Sequence, residues 1–376
     1  MVWPNKKATQ GDAPDMVTIA ADKMSAFVAD IFTKAGSSRA EAERIGKYLV
    51  IANLTGHDSH GVQRVPRYLQ WLEEGIFVAD RTVEVVTETP VYAVVDGLHG
   101  FGQTVAPQAV DIGIAKCRAM GLAMVALRNA GHIGRVGDYA EMAAAAGFVS
   151  VHFVNAAGSS LVAPFGGVDR RFSTAPYCVG VPRKDEPPLV LDFATSIVAE
   201  GKVLNASFGG KKLPDAALVG PDGALSTDPH VLYGEYTPSG SRDYRKGKGA
   251  IRAFGDHKGS GLAFMCELLG GSLTGTGATE EGRRFANGML SFYVDPARID
   301  PDGFFPADVT KYTKHVKSSR PIEPGGEVLV PGEPELRMRA ERSRSGIPLP
   351  DDTWAAIKEA AKAIGIDDKR IASVTT

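Results

Sequence analysis

The chain has 376 residues, 44% of them apolar and 23% charged, with a formal net charge of −2. That length holds one large core or two to three smaller ones, and near-neutrality leaves no basic surface for nucleic acid or an anionic membrane. Three cysteines, Cys117, Cys178 and Cys266, lack CxxC spacing. This excludes a disulfide framework or a cysteine zinc site and fits a reducing compartment.

Residues 1–15 mix Pro, Gly, Asp and Lys without periodicity and read as a loose tail. The tail has no apolar core of a signal peptide, and no run approaches the roughly 18 to 20 apolar residues of a membrane span. The expectation is a cytoplasmic protein. Met24, Phe27, Val28, Ile31 and Phe32 then follow the spacing of one helix face, with Gly36 as the stop. Ser38 and Glu41 form a capping box for a second helix, which aligns Ile45, Leu49 and Ala52 and ends near Gly56. A third turns Val65, Leu69 and Leu72 inward and runs to Gly75.

Between the second and third helices lies DSHGVQR, residues 58–64, with an acid, a hydroxyl, an imidazole and a guanidinium in one turn. If that turn is already helical at His60, then His60 and Arg64 share a face. From about residue 83 short β-branched runs appear, at 83–87, 92–97, 122–129, 148–155, 188–195 and 289–296. Helical patterns separate several of them, near 104–119, 138–147 and 257–273. The strand, helix, strand alternation from 122 to 155 predicts a βαβ unit and a partly parallel sheet. Residues 203–256 are rich in Gly, Pro and Asp and read as long loops, with SRDYRKGKGAIR (241–252) a solvated one. Trp354, Ile357, Ala361 and Ile364 make a last amphipathic helix.

Polar clusters stand at strand ends and helix starts, where open α/β sheets bind ligands. NAGHIGRVGDY (129–139) places His132 in a strand-to-helix loop, and NAAG (155–158) ends another strand. APFGGVDRRFSTAP (163–176) carries a Gly-Gly loop. Asp192 lies inside the apolar strand LDFATS, where it either pairs with a histidine or hydroxyl, faces a cleft, or caps backbone. His257 and Lys258 open a Gly-rich helix, a natural anion site. GLHGFG (97–102) has the wrong spacing for a dinucleotide fingerprint, and the phosphate-loop, nucleophile-elbow and zinc-protease motifs are missing.

Taken together these stretches resemble the malate/L-lactate dehydrogenase type 2 family. DSHGVQRVPRYLQWLEEG, VVDGLHGFGQTVA, RNAGHIGRVGDYAEMA, APFGGVDRRFSTAP, LVLDFATS, DGALSTDP, HKGSGLAF and VPGEPELRMRAERSRSGIPL occur in that family's order, from about 20 to 365. The resemblance implies an α/β fold with a non-Rossmann nicotinamide-binding domain of mixed sheet. A helical domain from both chain ends completes it. The boundaries expected are 16–84 with 336–376 for the helical part and 85–335 for the α/β part.

It also implies a homodimer with no nucleic-acid or membrane partner. The activity implied is hydride transfer between NAD or NADP and a small 2-oxo or 2-hydroxy acid, or a cyclic imino acid. Carried onto this chain, His60 is the proton donor, relayed through Ser59 and Asp192, and His132 competes for the same role. Arg64 clamps the substrate carboxylate, and Thr174 contacts substrate. The cofactor residues implied are Asn155, Asp192, Phe193, Ala194, Thr195, Ser196, His257, Lys258, Pro331, Gly332 and Glu333.

Two departures bear on specificity: Thr174-Ala175-Pro176 stands where the family reads TNP, and an insertion follows Pro229, within 230–256. The alternative reading is a metal-dependent hydrolase or lyase using His57, His60 and His132.

Overall fold

The structure is a computed structural model that describes residues 16–207, 212–237 and 242–375. The loose tail expected at 1–15 lies outside them. The first helix, Ala21–Lys34, buries Met24, Phe27, Val28, Ile31 and Phe32 as their spacing predicts. Arg39–Leu54 follows, and the Ser38 hydroxyl accepts from the Glu41 amide at 3.3 Å. The other half of the box is closed differently. The buried Glu41 carboxylate accepts from the Asp80 amide at 2.7 Å, while the Asp80 carboxylate accepts from the Ser38 amide at 2.8 Å.

Residues from both ends of the described chain share one apolar core, in which Phe27, Phe32, Leu49 and Tyr68 meet Ile347, Leu349, Trp354 and Ile357. The strand Met16–Ile19 pairs antiparallel with Ile347–Pro350 beside it.

Among the described residues, seven strands form the central mixed sheet. Its order is Glu84–Glu88, Tyr92–Asp96, Leu122–Ala130, Ala286–Val294, Val149–Ala157, Pro176–Arg183, Glu186–Ala194. Its parallel pair is Tyr92–Asp96 with Leu122–Ala130. The βαβ expectation from 122 to 155 therefore needs correction. Leu122–Ala130 and Val149–Ala157 run in one direction but do not touch, because Ala286–Val294 lies antiparallel between them. The helices Gly102–Met120 and Gly137–Ala145 close a second core with this sheet. Packing there is tight, since a Cβ on Gly113 would sit 2.2 Å from the Tyr293 ring.

The stretch 203–256 is more than loops. Leu218–Val219, Leu225–Ser226 and Ala250–Arg252 join Val162–Ala163 in a small four-stranded sheet with its own core around Leu161, Val203, Leu218, Leu232 and Ile251. The Arg170 guanidinium knits the segment around 232–249 to the body. It donates to the carbonyls of Gly249 (2.7 Å), Tyr244 (2.6 Å), Gly247 (2.9 Å) and Leu232 (3.1 Å). All three cysteines are buried and unpaired by disulfides. No helix among the described residues is long and apolar enough to cross a membrane.

Candidate active site

DSHGVQR does not form one helical turn. Asp58–His60 and Val62–Arg64 are separate 3-10 turns, parted at Gly61, whose backbone is extended (φ −87°, ψ −156°). His60 and Arg64 therefore do not lie one helical turn apart on a continuous helix. Asn53 sets the break. Its Oδ1 accepts from the Val62 amide at 2.8 Å, and a Cβ on Gly61 would fall 2.2 Å from that oxygen. Asn53 Nδ2 also donates to Asp58 at 2.7 Å, and the Arg342 fork grips the same carboxylate at 2.6 and 3.1 Å. The acid of the motif is thus an anchor that ties the turn to the helix Glu333–Ser345.

On this frame the His60 and His132 rings stack 5.4 Å apart, within 5° of parallel. Ser59 Oγ lies 3.1 Å from His60 Nδ1. Burial holds the His60 imidazole well below its ordinary value, helped by His132 and Arg64. His132 is pushed down to about 3, by burial first and then by the Arg64 guanidinium. Both rings therefore favour the neutral form near pH 7.

The proton on His132 can be placed. The Gln103 amide nitrogen donates to the His132 carbonyl at 3.2 Å and to the Tyr68 oxygen at 3.1 Å. The Tyr68 hydroxyl therefore directs its own proton to His132 Nδ1, 2.6 Å away. A ring that accepts at Nδ1 carries its proton on Nε2. Burial raises the Tyr68 phenol above its ordinary value, which keeps it a donor. Neither Tyr68 nor Gln103 stood out in the sequence, where Tyr68 sits beside the apolar stripe of its helix.

The loop behind His132 is strained. Leu98 (φ 51°), His99 (φ 56°) and Asn129 (φ 52°) are left-handed without being glycine. The glycines of GLHGFG serve this contact, since a Cβ on Gly102 would sit 2.3 Å from the His132 carbonyl.

Arg64 donates from Nε to the Ser59 carbonyl at 2.6 Å, and its Nη2 lies 3.8 Å from Glu200. Asp192 does not complete a relay. Its Oδ2 accepts from the Gly137 amide at 2.7 Å at the start of the helix Gly137–Ala145, and among the described residues it shares no hydrogen bond with Ser59. A carboxylate in an apolar strand is satisfied here by a helix N-terminus.

The expected cofactor residues divide. Asn155 is fully buried and its side chain is spent, donating to Glu267 (3.1 Å) and the Gly277 carbonyl (2.8 Å) and accepting from the Gly288 amide (3.2 Å). Thr195 is also buried, its hydroxyl turned to the carbonyls of Thr174 (3.2 Å) and Ala175 (2.9 Å). Thr174 contributes that carbonyl and is half-buried. The side chains of Asn155 and Thr195 are thus engaged within the protein.

The others gather along one strand. Phe254 donates its amide to the Thr195 carbonyl at 3.0 Å, and its ring meets Phe193 edge-on. Ser196 bridges Ala253, and Ala194 pairs with Pro176. This brings His257 and Lys258, both exposed on the first turn of the helix His257–Cys266, to the end of the strand. At the other end the Pro331 carbonyl accepts from the Val190 amide at 3.4 Å. Gly332 follows with φ +93°, and Glu333 pairs with Lys317.

Comparison with known proteins identifies the family. Residues 19–358 match the family described as malate/L-lactate dehydrogenase. Hydroxycarboxylate dehydrogenase B of Escherichia coli O157:H7 is 38% identical over 93% of this chain and 95% of its own length. L-sulfolactate dehydrogenase of Methanothermobacter thermautotrophicus is 31% identical over 91% and 95%. The solved malate dehydrogenase of Pyrococcus horikoshii superposes with a TM-score of 0.81 at 28% identity, over 95% of this chain and 99% of that one. Over nearly the whole of its length, this chain belongs to the malate/L-lactate dehydrogenase family.

Proposed function

We propose that the protein is an NAD- or NADP-dependent oxidoreductase acting on a small 2-oxo/2-hydroxy acid or cyclic imino acid. The observation that carries this reading is the stacked His60–His132 pair with Arg64 in the same short segment. A 2-oxo acid offers a carboxylate for a guanidinium fork and a carbonyl whose oxygen gathers charge as it is reduced. Nicotinamide, when bound, supplies or accepts the hydride.

The chain's own groups do the rest. Arg64 holds the carboxylate, and His132 presents its Nε2 proton to the carbonyl oxygen. His60, with Ser59 at Nδ1, takes up a proton as the substrate carboxylate settles on Arg64 and delivers it to the developing alkoxide. Substrate binding supports that delivery, because a carboxylate on Arg64 cancels one of the charges that depress both imidazoles.

The residues suit a dinucleotide. His257 and Lys258 are exposed at a ten-residue helix N-terminus, where the helix dipole and the lysine charge favour a diphosphate. Beside them Gly261 and Gly166 have no heavy atom within 4 Å of an added Cβ, which leaves room for a ligand. Phe193, Ala194, Ser196 and Pro331–Glu333 would line the rest. A homodimer belongs to the same reading, supported by Phe264, Met265 and Leu268, exposed on one segment. Light scattering reporting a monomer at micromolar concentration would refute it.

The metal-dependent alternative has less support. His57 Nε2 lies 3.6 Å from Glu335, and no group of three or more His, Cys, Asp or Glu side chains among the described residues could hold an ion. The test is to mix the protein with NADH or NADPH and a panel of 2-oxo and cyclic imino acids, following the loss of reduced nicotinamide absorbance. Turnover that survives dialysis against a chelator supports the proposal. Silence across the panel overturns it.

A further inference from the structure

Arg64 has a resident anion beside it. Glu200 opens the helix Glu200–Ser207, and its carboxylate stands 3.8 Å from Arg64 Nη2 with only 18% of the side chain exposed. That distance is an ion pair but too long for a hydrogen bond, so the guanidinium N–H groups on that side stay free for a ligand. Glu200 is held in place from two directions. The Tyr233 hydroxyl, from a residue that is 1% exposed, donates to its Oε1 at 2.6 Å. Behind it, Gly201 packs so closely on the catalytic turn that an added Cβ would lie 2.7 Å from Ser59 Cβ. Among the described residues Arg64 is the cation paired with Glu200. Arg67, one turn on, is occupied with Gln70 and the Trp71 ring. Tyr233 belongs to the segment 230–256, which Arg170 fastens down through the neighbouring carbonyls.

We propose that Glu200, fixed against Arg64 by Tyr233, selects substrates with a single carboxylate and an uncharged remainder and disfavours dicarboxylic acids. This rests on the oxidoreductase reading above. Once a substrate carboxylate sits on Arg64, two carboxylates already share one guanidinium. A third would enter a half-buried site whose positive charge is spent, where like charges repel far more than in water. An aliphatic or aromatic remainder meets no such penalty. Tyr233 and Glu200 thus determine the charge class of the substrate without touching the reacting atoms.

The test compares 2-oxovalerate with 2-oxoglutarate, which share a five-carbon chain and differ by the terminal carboxylate. With the full-length protein and the reduced cofactor, kcat/KM is expected to favour 2-oxovalerate at least tenfold. In Glu200→Gln that ratio should fall by about tenfold or more. Tyr233→Phe, which leaves the carboxylate but frees it, should move the ratio the same way by less. Calorimetric titration of 2-hydroxyvalerate and 2-hydroxyglutarate reads the same preference as binding, without turnover. A wild-type preference for the dicarboxylate, or a ratio unmoved in Glu200→Gln, overturns the proposal. If no acid turns over, the oxidoreductase reading fails, and the binding ratio alone decides for or against Glu200.

Discussion

His152 offers a test of the buried electrostatics away from the active site. It lies fully buried on the strand Val149–Ala157, with Nδ1 2.8 Å from Ser291 Oγ, Nε2 3.0 Å from Ser150 Oγ and the Tyr293 ring edge-on at 5.9 Å. Burial pushes it down to about 3, against about 6.5 in an unfolded chain. Between those values the unfolded state binds the proton and the native state does not. Stability is therefore whole above pH 6.5 and is lost as pH falls, until the native ring too is protonated near 3. At pH 5 the loss from this residue is about 1.5 pH units at 1.36 kcal/mol each, or about 2 kcal/mol. Urea unfolding at pH 7.5 and 5.0 of the wild type and of His152→Gln measures it. The substitution has its own cost, which is common to both pH values and cancels. The wild type should lose about 2 kcal/mol more than the variant on acidification. Equal losses would refute the assignment of a neutral, proton-excluding histidine.

Other outcomes follow from the site. Tyr68→Phe removes the donor that fixes the His132 tautomer. It should lower kcat roughly tenfold or more with little change in KM. It should also move the acid limb of the pH profile upward, because the hydroxyl favours the neutral ring; a limb that stays in place would mean the residue only packs. Arg64→Lys keeps the charge but loses the fork, so KM for the acid should rise about tenfold or more with a smaller change in kcat. Gly61→Ala drives a Cβ into Asn53 and shifts the catalytic turn; thermal unfolding should report a loss of about 1–3 kcal/mol, with activity falling alongside.

What was legible in the sequence was local. The helix Ala21–Lys34 announces itself because five apolar side chains repeat at its own period, and the Ser38 cap is a short-range hydrogen bond. The strand Pro176–Arg183 was missed, since proline opens it and its glycine and second proline hide the alternation. The small sheet escaped because three of its strands are two residues long and draw their stability from partners far along the chain.

At the site, His60, His132 and Arg64 were found because their neighbours form recognisable stretches. Tyr68, Gln103 and Glu200 were not, because each acts through a contact between residues far apart in sequence. Asp192 was the instructive case. A lone carboxylate in an apolar strand must find a partner, but only the fold shows that the partner is a helix N-terminus and not a serine.

The strand Ala286–Val294 occupies the middle of the sheet yet comes late in the chain. As the polypeptide leaves the ribosome, Leu122–Ala130 and Val149–Ala157 emerge with the edges that face each other still unpaired, and they stay so until residue 294 is free. The nascent chain thus carries two open edges of apolar, β-branched sequence from the emergence of residue 157 to that of residue 294. Such edges recruit foreign strands and chaperones alike, so the inserted strand makes completion of this sheet a late event in synthesis.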